Sequence, residues 1–331
     1  RKLFPETLAA GESLGSLNAE AAEHLGLAES TQLGLGGGDT QCSLLAAGAV
    51  NAGDYACVAG TTAPVVAVLD KAVVDADGGC WSGRHLLPDR WLLESSGGPM
   101  GETLQWMARL LFPDAPSPEL RLFAEAQQSE YGARGMVSSL GAEVMNAKAP
   151  SLPAGMLAMT HLSSSDDPNP RRHLCRAVVE GYASAVRANV ERLAGITGAD
   201  MHNLHLTDGL SRSAVFAQIL ADFCGRDIKV AAQPMTAAKG AALCGAAAAS
   251  GQSLAAWLAK RSNAPANSIV NADADGQQQA QAVYTDWLAL REASAEKTTP
   301  RIADHMLGHG FKPSEEAGRS AAAMPAELSA L

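Results

Sequence analysis

The chain has 331 residues, 47% of them hydrophobic, and a formal net charge of −10. That apolar content is ample for one large or two small packed domains, and the negative charge argues against nucleic acid as a main partner. No signal peptide or membrane-length apolar run is present, and the six cysteines (Cys42, Cys57, Cys80, Cys175, Cys224, Cys244) form no Cys-x-x-Cys, which leaves free thiols in a reducing compartment.

Residues 1–26 read as a segment without a core of its own, carrying one helix over 18–25 that Ser16 or Asn18 caps and Gly26 stops. Residues 33–65 (LGLGGGDTQCSLLAAGAVNAGDYACVAGTTAPV) are the stretch around which the rest is arranged. A glycine cluster (Gly34, Gly36, Gly37, Gly38) ends in a single carboxylate, Asp39. An apolar, small-residue helix is expected over 42–50, a turn at 51–54, a strand over 55–59 and a second turn at Gly60-Thr61-Thr62. Glycines let backbone N–H groups approach an anion, and threonine hydroxyls add donors. A carboxylate on one Gly-lined turn facing a Gly-Thr-Thr turn suits phosphoryl transfer to a hydroxyl. Asp39 takes the hydroxyl proton and the threonine turn holds the phosphate chain. The same residues also fit a plainer arrangement, two tight strand–helix turns in which Asp39 is a helix N-cap.

Further along, a strand is expected over 64–69 and a hairpin over 81–94 around Pro88-Asp89. An amphipathic helix over 102–112 buries Leu104, Met107, Leu110 and Leu111, and a Pro-rich turn leads into a helix ending near 128. Signals are weak over 132–149, and 163–172 is a polar loop broken by prolines. Apolar spacing then predicts a helix from 173 to Gly195, a short strand over 203–206, and the turn Thr207-Asp208-Gly209-Leu210-Ser211-Arg212-Ser213. The next helix presents Val215, Phe216, Ile219, Leu220 and Phe223 and stops at Gly225. Strand, glycine turn and helix in succession is where α/β folds bind nucleotides. An edge strand at 228–230, an Ala-rich helix over 234–250 and two peripheral helices over 253–258 and 277–290 follow. Residues 297–331 read as a tail. There the His305/His309 spacing suits a metal on a helix, but Gly308 and Gly310 break that helix. His202 and His205 fall on opposite sides of a strand and are not a chelating pair.

GGGDTQ, GDYACVAGTT, RAVVEGYA and DGLSRS with its helix resemble the second domain of the FGGY carbohydrate kinases, over roughly residues 3–291. The resemblance implies an α/β domain of the actin-like ATPase (ribonuclease H-like) class, a mixed central sheet flanked by helices. It divides the chain into a link from an upstream domain (1–30), the kinase C-terminal domain (31–293) and a low-complexity tail (294–331). The activity implied is ATP-dependent phosphorylation of a sugar or polyol hydroxyl. Asp39 is then the base, and Thr40 and Gln41 lie beside the substrate. Gly60, Thr61, Thr62, Gly101, Gln105, Gly209, Leu210 and Ser213 lie at the nucleotide. Mg2+ is held mainly by phosphate and water oxygens, with no metal site made by the protein alone. The remaining expectations are a cytoplasmic protein, an N-terminal domain missing from this sequence as partner, a homodimer as a candidate assembly, and no nucleic-acid or membrane partner.

The chain departs from the family's pattern at two places. Asp208 stands where the adenosine turn has its first glycine and Leu210 where a third often lies, while Met235 or Thr236 occupies the neighbourhood of the glutamate that opens the closing helix. The expected consequence is weaker ATP binding, through a carboxylate near the phosphates and a side chain narrowing the adenine slot. Glu180, in the RAVVEGYA helix, is read as structural. Residues 1–331 alone are expected to fold but not to turn over, since the opposite phosphate turn lies in the upstream domain. The rival reading is a truncated or degenerate kinase half, a non-catalytic nucleotide-binding or structural module. An upstream D-x-G-T turn would discriminate against it.

Overall fold

The computed structural model describes residues 7–148, 157–159, 167, 169–232, 235–260 and 267–297. The chain opens with β1 (Ser13–Ser16), α1 (Ala19–Leu25) and β2 (Gln32–Gly34). Asn18 caps α1 by accepting the Ala21 N–H at 2.8 Å, and Gly26 ends it in the left-handed region at φ 65°. β1 pairs antiparallel with β2, so this hairpin crosses the boundary expected at residue 30. Gly11, just before it, packs against Leu254 and Ala247.

Next come α2 (Asp39–Ala47), β3 (Asp54–Val58), β4 (Pro64–Leu69), β5 (Trp81–Arg84), β6 (Trp91–Ser96), α3 (Met100–Leu111) and α4 (Pro118–Ala126). β7 (Met136–Ser138) and β8 (Leu157–Met159) form a small antiparallel pair. The remainder is α5 (Arg171–Thr197), β9 (Asn203–Thr207), α6 (Ala214–Cys224), β10 (Ile228–Val230), α7 (Thr236–Ser250), α8 (Leu254–Ala259), β11 (Ser268–Val270) and α9 (Ala274–Lys297).

Seven strands make one mixed sheet in the order β11-β10-β9-β3-β4-β6-β5. β9 runs parallel to both β3 and β10, and the other pairs are antiparallel. The period of two in the strands divides the side chains between two layers. Tyr55, Cys57, Val65, Ala67 and Leu93 point into the main core with Val178, Tyr182 and Val186 of α5 and Phe216 and Leu220 of α6. Ala56, Val58, Val66, Val68 and Leu92 point the other way, onto Leu44 of α2. Behind α2 lies α7, and a Cβ on Gly240 would sit 2.0 Å from the Cys42 carbonyl oxygen. Glycine therefore lets these two helix backbones touch, which fixes α2 in place.

Four expectations are corrected. The helix expected over 42–50 begins at Asp39 and ends at Ala47, because Gly38 takes the extended N-cap conformation (φ −61°, ψ 156°) and Gly48 the left-handed C-cap. The helix expected to stop at Gly195 continues to Thr197 and ends at Gly198, at φ 61°. α3 starts at Met100 rather than 102 and ends at Leu111, and Leu110, expected on its buried side, is exposed while Leu104 and Met107 are buried. The last helix is not peripheral: its Ala280, Val283, Tyr284 and Trp287 are buried in the main core, Trp287 completely. The tail from 298 onward, His305 and His309 included, and residues 163–166 and 168 of the polar loop lie outside the described residues. Among the described residues no helix is long and apolar enough to cross a membrane, and all six cysteines are free.

Candidate functional site

The glycine cluster brings the chain into α2 with Asp39 as the first helical residue. Negative charge there complements the positive end of the helix dipole. The Asp39 side chain is exposed, and among the described residues its one hydrogen bond accepts the adjacent Thr40 N–H at 2.7 Å. The carboxylate is thus held at a defined point while keeping lone pairs open to a ligand hydroxyl. Gly38, not Asp39, is the N-cap, so the plainer capping role falls to the neighbouring residue. Gln41 folds back toward Gly38 and lines a cavity of about 1020 Å³ shared with Gly36, Arg84, His85 and the segment around Gly11.

The Gly60-Thr61-Thr62 turn is gripped from two sides. Thr61 carbonyl oxygen accepts the Gly101 and Glu102 N–H groups at 3.1 and 3.3 Å, which anchors the turn on the N-terminus of α3. A Cβ on Gly101 would lie 2.2 Å from the Gly60 carbonyl oxygen, so only glycine allows this approach. On the other side, the Ala59 carbonyl oxygen accepts the Leu210 N–H at 3.0 Å and the Ala59 N–H donates to Thr207 at 3.0 Å. The turns at 60–62 and 208–213 and the start of α3 therefore abut. Thr61 and Thr62 are exposed, and no protein group pairs with their hydroxyls among the described residues. Exposed hydroxyls on a tight turn are donors of the kind that can hold an anion.

Each remaining expected residue has a definite place. Gly101 buttresses the turn with its N–H already committed, and Gln105 lies exposed one turn further along α3, on the same face. Gly209 is exposed. Ser213 is the N-cap of α6, its Oγ accepting the Phe216 N–H at 3.2 Å. Leu210 does not wall a slot: it is 5% exposed and packs in the main core, so it anchors the turn from beneath.

Asp208 also differs from expectation. It adopts φ 66° and ψ −152°, a region that glycine alone occupies freely and that costs another residue about 1–3 kcal/mol. Its carboxylate accepts two hydroxyl bonds, from Ser43 of α2 at 3.2 Å and from Thr236 of α7 at 2.9 Å. The side chain expected to face phosphates is tied to two helices instead.

Sequence reasoning missed a second lining. Thr62, Trp81, Glu94, Glu102, Trp106 and Glu143 surround a cavity of about 640 Å³ beside the threonine turn, with Trp81 and Trp106 more than half exposed. Burial, and secondarily the charge of Asp39, push the Glu94 carboxyl above its usual range. The alternation of β6 marks Glu94 as a strand residue but carries no sign of that neighbour. Among the described residues no group of three or more His, Cys, Asp or Glu could hold a metal ion.

A model of the C-terminal domain of the FGGY family of carbohydrate kinases matches residues 55–249. An autoinducer-2 kinase from Enterobacter sp. (strain 638) is 28% identical over 306 residues, covering 85% of this chain and 55% of that protein. A xylulose kinase from Rhodospirillum rubrum superposes with a TM-score of 0.68 at 27% identity, covering 88% of this chain and 57% of that one. A Plasmodium falciparum glycerol kinase structure with ADP shares the fold, with a TM-score of 0.67 at 18% identity over 87% of this chain and 56% of that one. The chain spans about half the length of the curated relatives it matches.

Proposed function

The chain belongs to the FGGY family of carbohydrate kinases, and from that premise we propose that the whole protein transfers a phosphoryl group from ATP to a sugar or polyol hydroxyl. Its fold is the actin-like ATPase (ribonuclease H-like) fold, and this part supplies the base and the nucleotide turns. The observation that carries the reading is Asp39: an exposed carboxylate, fixed at the first residue of α2, on a helix joined through Ser43 to the 208–213 turn. The acceptor O–H donates its proton to Asp39 as the hydroxyl oxygen bonds to the γ-phosphorus, and the bond to the bridging oxygen breaks to release ADP. The Thr61 and Thr62 donors orient the phosphate chain, and Gly209 and the Ser213 cap lie on the adenosine side. Thr40 and Gln41 flank the acceptor.

Magnesium would neutralise charge on the phosphates. Phosphate and water oxygens would supply most of its ligands. The opposite wall of the cleft belongs to an upstream domain of the kind the longer relatives have room for, and the free cysteines fit a cytoplasmic setting.

Calorimetric titration of the full-length protein with ADP and Mg2+ tests the nucleotide half. One site per chain is expected, weakened about tenfold or more by Gly101→Ala, whose Cβ would push the threonine turn out of place. Absence of binding, or unaltered affinity in that variant, would contradict the assignment of this turn.

A further inference from the structure

We infer that Asp208 is a positioning residue that couples the nucleotide turn to the helix bearing Asp39. The inference rests on the kinase reading above. Its geometry is a chain of hydroxyls. Thr207 Oγ1 donates to Thr236 Oγ1 at 2.8 Å, Thr236 Oγ1 donates to Asp208 Oδ1 at 2.9 Å, and Ser43 Oγ donates to Asp208 Oδ2 at 3.2 Å. Thr236 Oγ1 also lies 3.2 Å from Ser43 Oγ, but with one proton per hydroxyl, donation by both to the carboxylate makes Asp208 the link between them. Ser43, Thr207 and Thr236 are each at most 1% exposed, so the donor side of these bonds is shielded from water, while Asp208 itself is half-buried.

The carboxylate therefore ties three elements, the end of β9, the start of α7 and α2. Ser43 lies four residues after Asp39, one helical turn along the same face. A shift of the 208–213 turn on nucleotide binding is transmitted by this tie to the base. The two departures from the family's pattern, Asp208 in place of glycine and Thr236 near the expected glutamate, are the two ends of one 2.9 Å hydrogen bond. They are a matched pair. A glycine at 208 would relax the backbone and lose the tie. The strained φ of 66° is kept because the carboxylate is anchored on both sides.

Hydrogen–deuterium exchange on the full-length protein, with and without ADP and Mg2+, tests this. In the unsubstituted protein ADP is expected to slow exchange both in the turn (residues 207–216) and in α2 (residues 39–47), the latter by about fivefold or more. In Asp208→Gly, and independently in Ser43→Ala, the turn should remain protected while the protection of α2 is lost. The same variants should lower kcat with little change in the KM for ATP, because the nucleotide contacts stay and the placement of the base does not. Protection of α2 that persists in both variants would overturn the inference and leave the kinase reading intact. No protection of the turn in the unsubstituted protein would overturn the kinase reading and this inference with it.

Discussion

Replacing Asp39 by Asn in the full-length protein is expected to lower kcat by about 10² to 10⁴, with the melting temperature nearly unchanged. The size follows from the role: an amide of the same shape cannot accept the hydroxyl proton as phosphoryl transfer begins. The unchanged stability follows from the setting. Asp39 is exposed, its only hydrogen bond among the described residues is to the next N–H, and Gly38 is the helix cap. Steady-state kinetics beside a thermal melt separates the two. A variant with near-full activity and unaltered melting would remove Asp39 as the base and leave it as an ordinary first-turn carboxylate.

Glu180→Ala is expected to act the other way, on stability first. Glu180 is 1% exposed and accepts Arg176 Nε at 2.6 Å and the Gly132 N–H at 3.2 Å. Arg176 is itself 7% exposed, and its guanidinium lies 4.1 Å over the Tyr131 ring. Above pH 7, where Glu180 is ionised, removing the carboxylate leaves that cation buried without its partner, which costs about 3–5 kcal/mol in a chemical denaturation curve. Glu180 also carries a pH signature. Burial pushes its carboxyl up to about 7 from 4.5, against the pull of Arg176 and the Gly132 N–H. Between those values the folded protein holds a proton that the unfolded chain has released, so this group's contribution to stability falls as pH rises through that window. In Glu180→Gln that component is absent, and the difference between the two stability–pH curves should shrink toward acid. Parallel curves would show that Glu180 keeps an ordinary carboxyl pKa in the fold.

The parts of this fold that were legible in the sequence are those set by local periodicity and by glycine stops. β4, the β5–β6 hairpin and α6 with Gly225 follow from alternation, from helical spacing and from a left-handed glycine at φ 62°. The start of α2 was displaced because Asp39, Thr40 and Gln41 are polar first-turn residues that apolar spacing does not register. Gly195 misled because an exposed glycine inside a long helix costs little when the packing of α5 continues past it. The β1–β2 hairpin escaped notice because every residue of β1 is exposed. α9 was legible as a helix over 277–290, but its burial was not, because Ala280, Tyr284 and Trp287 make a narrow stripe in a Gln- and Ala-rich helix.

At the site, the residue types on the turns were legible and their connections were not. The bonds of Asp208 to Ser43 and Thr236 join segments 165 and 28 residues apart in sequence. Nothing local distinguishes that carboxylate from one facing a phosphate. Glu94 is likewise brought near Asp39 only by the sheet.

The most direct test of the central claim is acceptor-dependent ADP formation by the full-length protein with ATP, Mg2+ and a panel of sugars and polyols. ADP release that requires one class of neutral polyhydroxylated acceptor, matched mole for mole by its phosphate ester, is the predicted result. ATP turnover independent of every acceptor, or no phosphate ester from any of them, would contradict it.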